Sequence, residues 1–131
     1  MKSQRSQREA GSNLLETALV IPLLILLLVG VADLGRAFQT HITLLNAARE
    51  GARYAVRDSD PLAIAQRVVA EAALSRVPLE PGMVSIIHGG AGQPVEVRVD
   101  YPYNTYIGYI IGLDALTIRA QATFRAGGGG P

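Results

Sequence analysis

From Thr17 to Ala32 the chain carries no charged residue, and its centre, Leu23 to Val29, is leucine, isoleucine and valine without interruption. This stretch restricts the fold more than any other feature, because a helix that is apolar on every side has no face to give to water. Taken from Leu14 to Leu34, it makes roughly 30 Å of helix at about 1.5 Å per residue, the thickness of a bilayer's hydrocarbon core. Glu16 and Asp33 then fall near the two edges. Pro22 lies about two turns into the span, where a membrane helix accepts proline with a slight kink. Lys2, Arg5 and Arg8 precede the span and only the mixed pair Asp33/Arg36 directly follows it, so the N-terminus is expected inside and the rest outside. A buried helix of a soluble protein would not be apolar all round for so long. A secretory signal cleaved after Ala32 is the other alternative, since Gly30-Val31-Ala32 fits a small-x-small site. Glu9, Glu16 and a helical pattern that runs on past Ala32 weigh against it without closing it.

The apolar excess, 49% hydrophobic against 18% charged residues, is concentrated in this segment. From about Phe38 onward the composition is that of an ordinary small domain with one core. A net charge of +1 provides no global field for nucleic acid, and the absence of cysteine excludes disulfides, thiol chemistry and Cys-based metal sites.

Beyond Asp33 the helical pattern continues to about Val56. Leu34, Phe38, Ile42, Leu45, Ala48, Ala52 and Ala55 recur at three- and four-residue steps, an apolar stripe expected to pack on the external domain. On that reading Ile42→Asp would bury an unpaired charge and cost several kcal/mol. Gly35 and Gly51 lower helix propensity and so point to close packing or bending. Arg49, Arg53 and Arg57 follow at four-residue spacing with Glu50 beside them, either a site for an anionic partner or a solvated face with local ion pairs.

Asp60 and Pro61 read as the N-cap and first residue of a second helix, with Leu62, Ala65, Val68 or Val69, Ala72 and Val77 as its apolar face and Pro78 as its stop. Strands are expected over Met83–His88, over Val95–Tyr101 with alternating valines, and over Leu116–Phe124. Residues 89–93, Gly-Gly-Ala-Gly-Gln, would join the first two as a hairpin loop; they lack the lysine and following helix of a phosphate cradle. The fold class is therefore α+β: a long membrane-spanning helix running into a small external domain, with a second helix packed on a roughly three-stranded antiparallel sheet. Between the last two strands, Tyr101 to Leu113 holds four of the five tyrosines. This connection is expected to form a binding surface, touch the membrane interface, or fold back over the sheet.

Two stretches carry a family resemblance. One is Leu15-Glu16-Thr17-Ala18-Leu19-Val20-Ile21-Pro22-Leu23-Leu24, continuing through Gly30, Asp33, Leu34, Gly35 and Arg36; the other is Asn46-Ala47-Ala48-Arg49-Glu50-Gly51-Ala52-Arg53-Tyr54-Ala55. Together they resemble the TadE-like family, pilin-related proteins of Tad secretion and Flp pilus systems. The resemblance implies a prepilin-like leader cleaved by a prepilin peptidase between Gly11 and Ser12, leaving Glu16 as the fifth residue of the mature chain. A glycine there lets the backbone lie extended against a protease. Thr17 stands where an aromatic residue often follows the glutamate in that family.

The resulting layout is a leader over residues 1–11, a span over 12–35, a helical extension over 36–57, an external domain over 58–126 and a Gly-rich tail over 127–131. The expected role is that of a minor pilin or pseudopilin in the cytoplasmic membrane, possessing no catalytic constellation and needing no cofactor or metal. Its expected partners are the bilayer, the peptidase and other pilin-like subunits, with Glu16, Pro22, Arg49 and Arg53 as assembly residues. Glu16 is a candidate to neutralise the new ammonium at Ser12 of a neighbouring helix, or simply to stabilise its own helix start. An uncleaved membrane scaffold or export component, or a soluble domain released after Ala32, are the alternatives. His41 and His88 are read as structural, with no second histidine at ligand spacing.

Overall fold

The computed structural model describes residues 2–88, 93–113 and 115–125, and side chains from residue 11 onward. The order of elements is α1 (Lys2–Tyr54), α2 (Pro61–Leu74), a 3-10 turn (Pro81–Met83), β1 (Val84–His88), β2 (Val95–Tyr103), α3 (Tyr106–Ile111) and β3 (Leu116–Phe124). The strands form one antiparallel sheet in the order β1-β2-β3. The α+β class is thus as expected. The hairpin loop and the tail lie largely or wholly outside the described residues.

α1 is a single helix of 53 residues, about 80 Å long at 1.5 Å per residue. It ends when Tyr54 hands the chain to a turn: the Arg57 and Asp58 amides both donate to the Tyr54 carbonyl, at 2.8 and 3.2 Å. Asp58 then accepts from the Asp60 amide at 2.9 Å. Asp60 in turn caps α2 by accepting from the Leu62 amide at 3.2 Å, with Pro61 at the first helical position. α2 stops well before Pro78. Val77 donates back to the Ala72 carbonyl and Arg76 to that of Ala73, with Arg76 in the left-handed region at φ 60°, the Schellman closure usually made by glycine.

The core lies where the C-terminal third of α1 crosses the sheet. Leu44, Ala47, Ala48, Ala52 and Ala55 of α1 meet Ile64, Val68 and Ala72 of α2 and Val97, Val99 and Ala120 of the sheet, all buried. α1 covers β2 and β3, while α2 packs on α1 and reaches the β1 edge. Gly51 permits this approach: a Cβ there would run into the Val68 side chain and lie 3.7 Å from Ile64 and 3.6 Å from Val97. The close packing inferred for Gly51 is present, whereas nothing stands within 4 Å of a Cβ built on Gly35. On the sheet, the inward alternation of Val97, Val99 and Tyr103 follows the pleat, and the outer face carries the cross-strand pair Arg119 Nε to Asp100 Oδ1 at 2.6 Å.

Three expectations need correction. The upper part of the apolar stripe does not face the domain: Leu34 is 72% exposed, Phe38 65% and Ile42 42%. The face turned inward is Leu44, Ala47, Ala48, Gly51 and Ala52, rotated from the stripe at its upper end; the stripe joins it at Leu45, which is half-buried against the core, and coincides with it from Ala48. Leu62 is exposed on α2 and Ile64 takes its place in the core, because the capped turn directs the second helical residue outward. The connection from Tyr101 to Leu113 is no plain loop: β2 runs to Tyr103 and α3 follows.

Candidate functional site

Residues 11–28 of α1 are all exposed. α1 also contains the one segment among the described residues that is long and apolar enough to cross a membrane, none of it buried by the rest of the chain. These leucines have no protein neighbour to cover them, which is the arrangement a lipid-facing helix requires. Gly11, Ser12 and Glu16 are helical and exposed at its start. A peptidase that needs an extended strand would have to unwind this part of α1, and glycine at position 11 lowers the cost of doing so. Thr17 returns its hydroxyl to the Asn13 carbonyl at 2.8 Å, so the one polar side chain just inside the edge is satisfied by its own helix. Glu16 makes no hydrogen bond or ion pair to the described residues. Pro22 sits within α1 without ending it.

Arg49 and Arg53 are on α1 at the far end, both exposed. Arg53 Nη2 pairs with Glu50 Oε2 at 3.3 Å, and Glu50 Oε1 also receives Arg67 Nη2 of α2 at 3.0 Å. Arg49 Nη1 leans on Asn46 Oδ1 at 3.4 Å. With Glu71, Thr123 and Phe124 these residues line a shallow depression of about 420 Å³. Two carboxylates stand among the guanidinium groups, so the depression offers an anion a divided field and the solvated-face reading accounts for it. Arg57 lies past the end of α1, so the row of three arginines does not continue on one helix face. His41 on α1 and His88 at the end of β1 are not brought together, and among the described residues no cluster of metal-ligating side chains is found.

The structure also builds a joint that the sequence pattern did not reveal. Asp33 is 5% exposed. Its Oδ2 accepts the amide of Ile107, 74 residues away, at 2.8 Å. Arg36 Nη1 lies 3.8 Å from Oδ1, too far for a hydrogen bond but close enough to balance the charge. The Arg36 guanidinium stacks over the Tyr106 ring at 4.5 Å and approaches that of Tyr103 at 6.0 Å. Burial pushes the Tyr103 phenol up from its ordinary value, against the lowering effect of Arg36, and its hydroxyl finds no hydrogen-bond partner among the described residues. Below this group, Gly30 leaves room for Ile107: a Cβ on Gly30 would stand 3.0 Å from Ile107 Cδ1. A carboxylate at the edge of an apolar span was the available signal, since such a group has to find a donor.

Residues 11–53 match the family model described as TadE-like protein, the family that both motifs resemble. The matched segment begins at Gly11 and ends at Arg53, so it covers α1 from the proposed cleavage point almost to its last residue. No curated protein and no solved structure gives a match.

Proposed function

We propose that this chain is a minor pilin or pseudopilin-like subunit of a Tad/Flp-type pilus or secretion apparatus, held in the cytoplasmic membrane with its N-terminus inside and its α+β domain outside. The observation that carries this reading is the coincidence of the TadE-like match with α1. The match supports a Tad pilus-associated protein, and α1 has the span that a single-pass subunit needs. The side chains left uncovered support assembly through the helix. Phe38 and Ile42 extend the apolar surface of the span beyond Leu34 on a face that the domain does not use, and another helix could bury it.

In this mechanism a prepilin peptidase cleaves between Gly11 and Ser12. The ammonium so created at Ser12 is stable next to headgroups and water, but it is costly once helices bundle and exclude water. Glu16 of a neighbouring subunit neutralises it and sets the axial register. The joint at Asp33 bears on the alternative in which the domain is released after Ala32: Gly30 packs on Ile107 and Asp33 is engaged by α3, so such a cut would fall within a packed stretch of α1. That supports retention of the span.

Intact mass of the mature protein tests the proposal. A chain beginning at Ser12 is expected; one beginning at Met1 marks an uncleaved scaffold, and one beginning at Asp33 a released domain. Glu16→Ala should insert and be cleaved but fail to co-purify with other pilin-like subunits, whereas Gly11→Val should block cleavage first and assembly in consequence. Assembly of Glu16→Ala at the wild-type level would reduce the carboxylate to a helix cap.

A further inference from the structure

We propose that α3 and the turn after it form an interfacial anchor that dips into the outer leaflet beside the span and sets the height and orientation of the external domain on the membrane. The inference rests on the membrane reading of α1. It begins with a level: Gly30 is four residues inside Leu34, the outer end of the span, or about 6 Å within the hydrocarbon at 1.5 Å per residue. Ile107 packs against Gly30, so the start of α3 is drawn to that same depth. The Asp33 carboxylate, bonded to the Ile107 amide at 2.8 Å, fastens it there and satisfies a helix-end donor that lipid could not.

What α3 presents at that level is suited to lipid. No charged residue occurs from Tyr101 to Leu113. Tyr109 is 90% exposed, Ile110 62%, Ile111 56% and Leu113 63%. Single exposed apolar residues are ordinary, but four within five consecutive positions, on a six-residue helix and the turn after it, mark a surface with a partner. α3 also meets the exposed side of the span directly: an open apolar groove of about 570 Å³ runs along α1 from Leu23 to Leu34, and Ile107 of α3 forms part of its lining. Tyr106 and Arg36 stand at the level expected of headgroups, where amphipathic rings and guanidinium groups settle. A second protein would also meet apolar side chains, but the depth fixed by Gly30 and Asp33 favours the bilayer.

The absence of cysteine makes the test direct. Ile110→Cys and Ile111→Cys, each labelled with a fluorophore in the full chain, are reconstituted in phosphatidylethanolamine/phosphatidylglycerol vesicles, with Leu26→Cys as the span reference and Ser85→Cys on the outer face of the sheet as the aqueous reference. Labels at 110 and 111 are expected about 5–10 Å below the headgroup boundary, quenched by nitroxide lipids and protected from iodide, while Ser85→Cys shows the reverse. Iodide quenching at 110 and 111 equal to that at Ser85 overturns the proposal. Protection from both quenchers also overturns it, by showing a protein face covered by another subunit. If Leu26→Cys escapes lipid quenching, the membrane reading itself falls; if it is quenched and 110 and 111 are not, only the anchor falls.

Discussion

α1 contains two apolar regions built from different side chains. Between Leu14 and Leu34 the apolar residues are mostly large, leucine with isoleucine and valine, and largely exposed; between Leu44 and Ala55 they are mainly alanine and glycine, and buried. On the membrane reading of α1, the difference reflects what each region packs against. Lipid conforms to any outline, so a spanning helix gains from bulk and needs no fit. A sheet and a second helix are rigid, and α1 can approach them closely only where its own side chains are small. The same backbone thus solves two packing problems in succession, and residue size, more than hydrophobicity, records the change.

That contrast can be broken most severely at Gly51. Gly51→Leu would place a branched side chain into Val68 and against Ile64 and Val97; the expected loss is ~3 kcal/mol or more. The external domain should become protease-sensitive while membrane insertion persists, and insertion lost together with the domain would contradict the division. Next comes a matched pair. Leu44 is fully buried, and Leu44→Ala should cost the domain about 2–5 kcal/mol in denaturant unfolding. The same change at Leu26 should leave that unfolding unchanged. Equal effects would mean that the two regions form one cooperative unit.

Ile42→Asp sharpens the boundary between them. With Ile42 42% exposed and outside the core cluster, domain stability should fall by less than about 1 kcal/mol, while co-purification with partner subunits should weaken. Protease sensitivity approaching that of Gly51→Leu would return Ile42 to the domain's interior. The smallest effect belongs to the joint. Because burial raises the Tyr103 phenol in the folded protein, its contribution is fully present below the unfolded value, about pH 10, and is lost as pH rises through the folded value above it. Thermal melts should therefore show a modest alkaline decline in Tm that Tyr103→Phe removes. Since the Tyr103 hydroxyl has no partner among the described residues, that variant should be no less stable at neutral pH.

Much of this architecture could be read from the residues themselves. The uncharged run, the Asp60-Pro61 helix start and the alternation of Val95, Val97 and Val99 each depend on neighbours in the chain, and local pattern captures them. The apolar stripe points the wrong side of α1 inward at Phe38 and Ile42, because such a stripe says only that something covers it. Domain, lipid and another subunit produce the same periodicity. The residues that do pack, Ala47 and Gly51, carry little hydrophobic signal. α3 has six residues, with Gly108 inside it and Gly112 as its C-cap, and is too short for any period to emerge. The Asp33–Ile107 bond joins residues 74 apart, a relation that no local pattern contains. Gly11 and Glu16 enter the candidate site from motif alone, and the structure adds only that they stand on an exposed helix.

One consequence of α1's continuity is mechanical. No loop or glycine-rich hinge separates Leu34 from Leu44; the backbone between them is helical throughout, and a helix of that length resists bending and twisting as a stiff rod. The external domain is therefore a handle fixed to a shaft. A turn of the shaft by one residue swings the handle through about 100°, and a pull on the handle is delivered to the bilayer as axial load, with no slack to absorb it. On the membrane reading proposed above, a machine that extracts this chain can do so by gripping the domain alone.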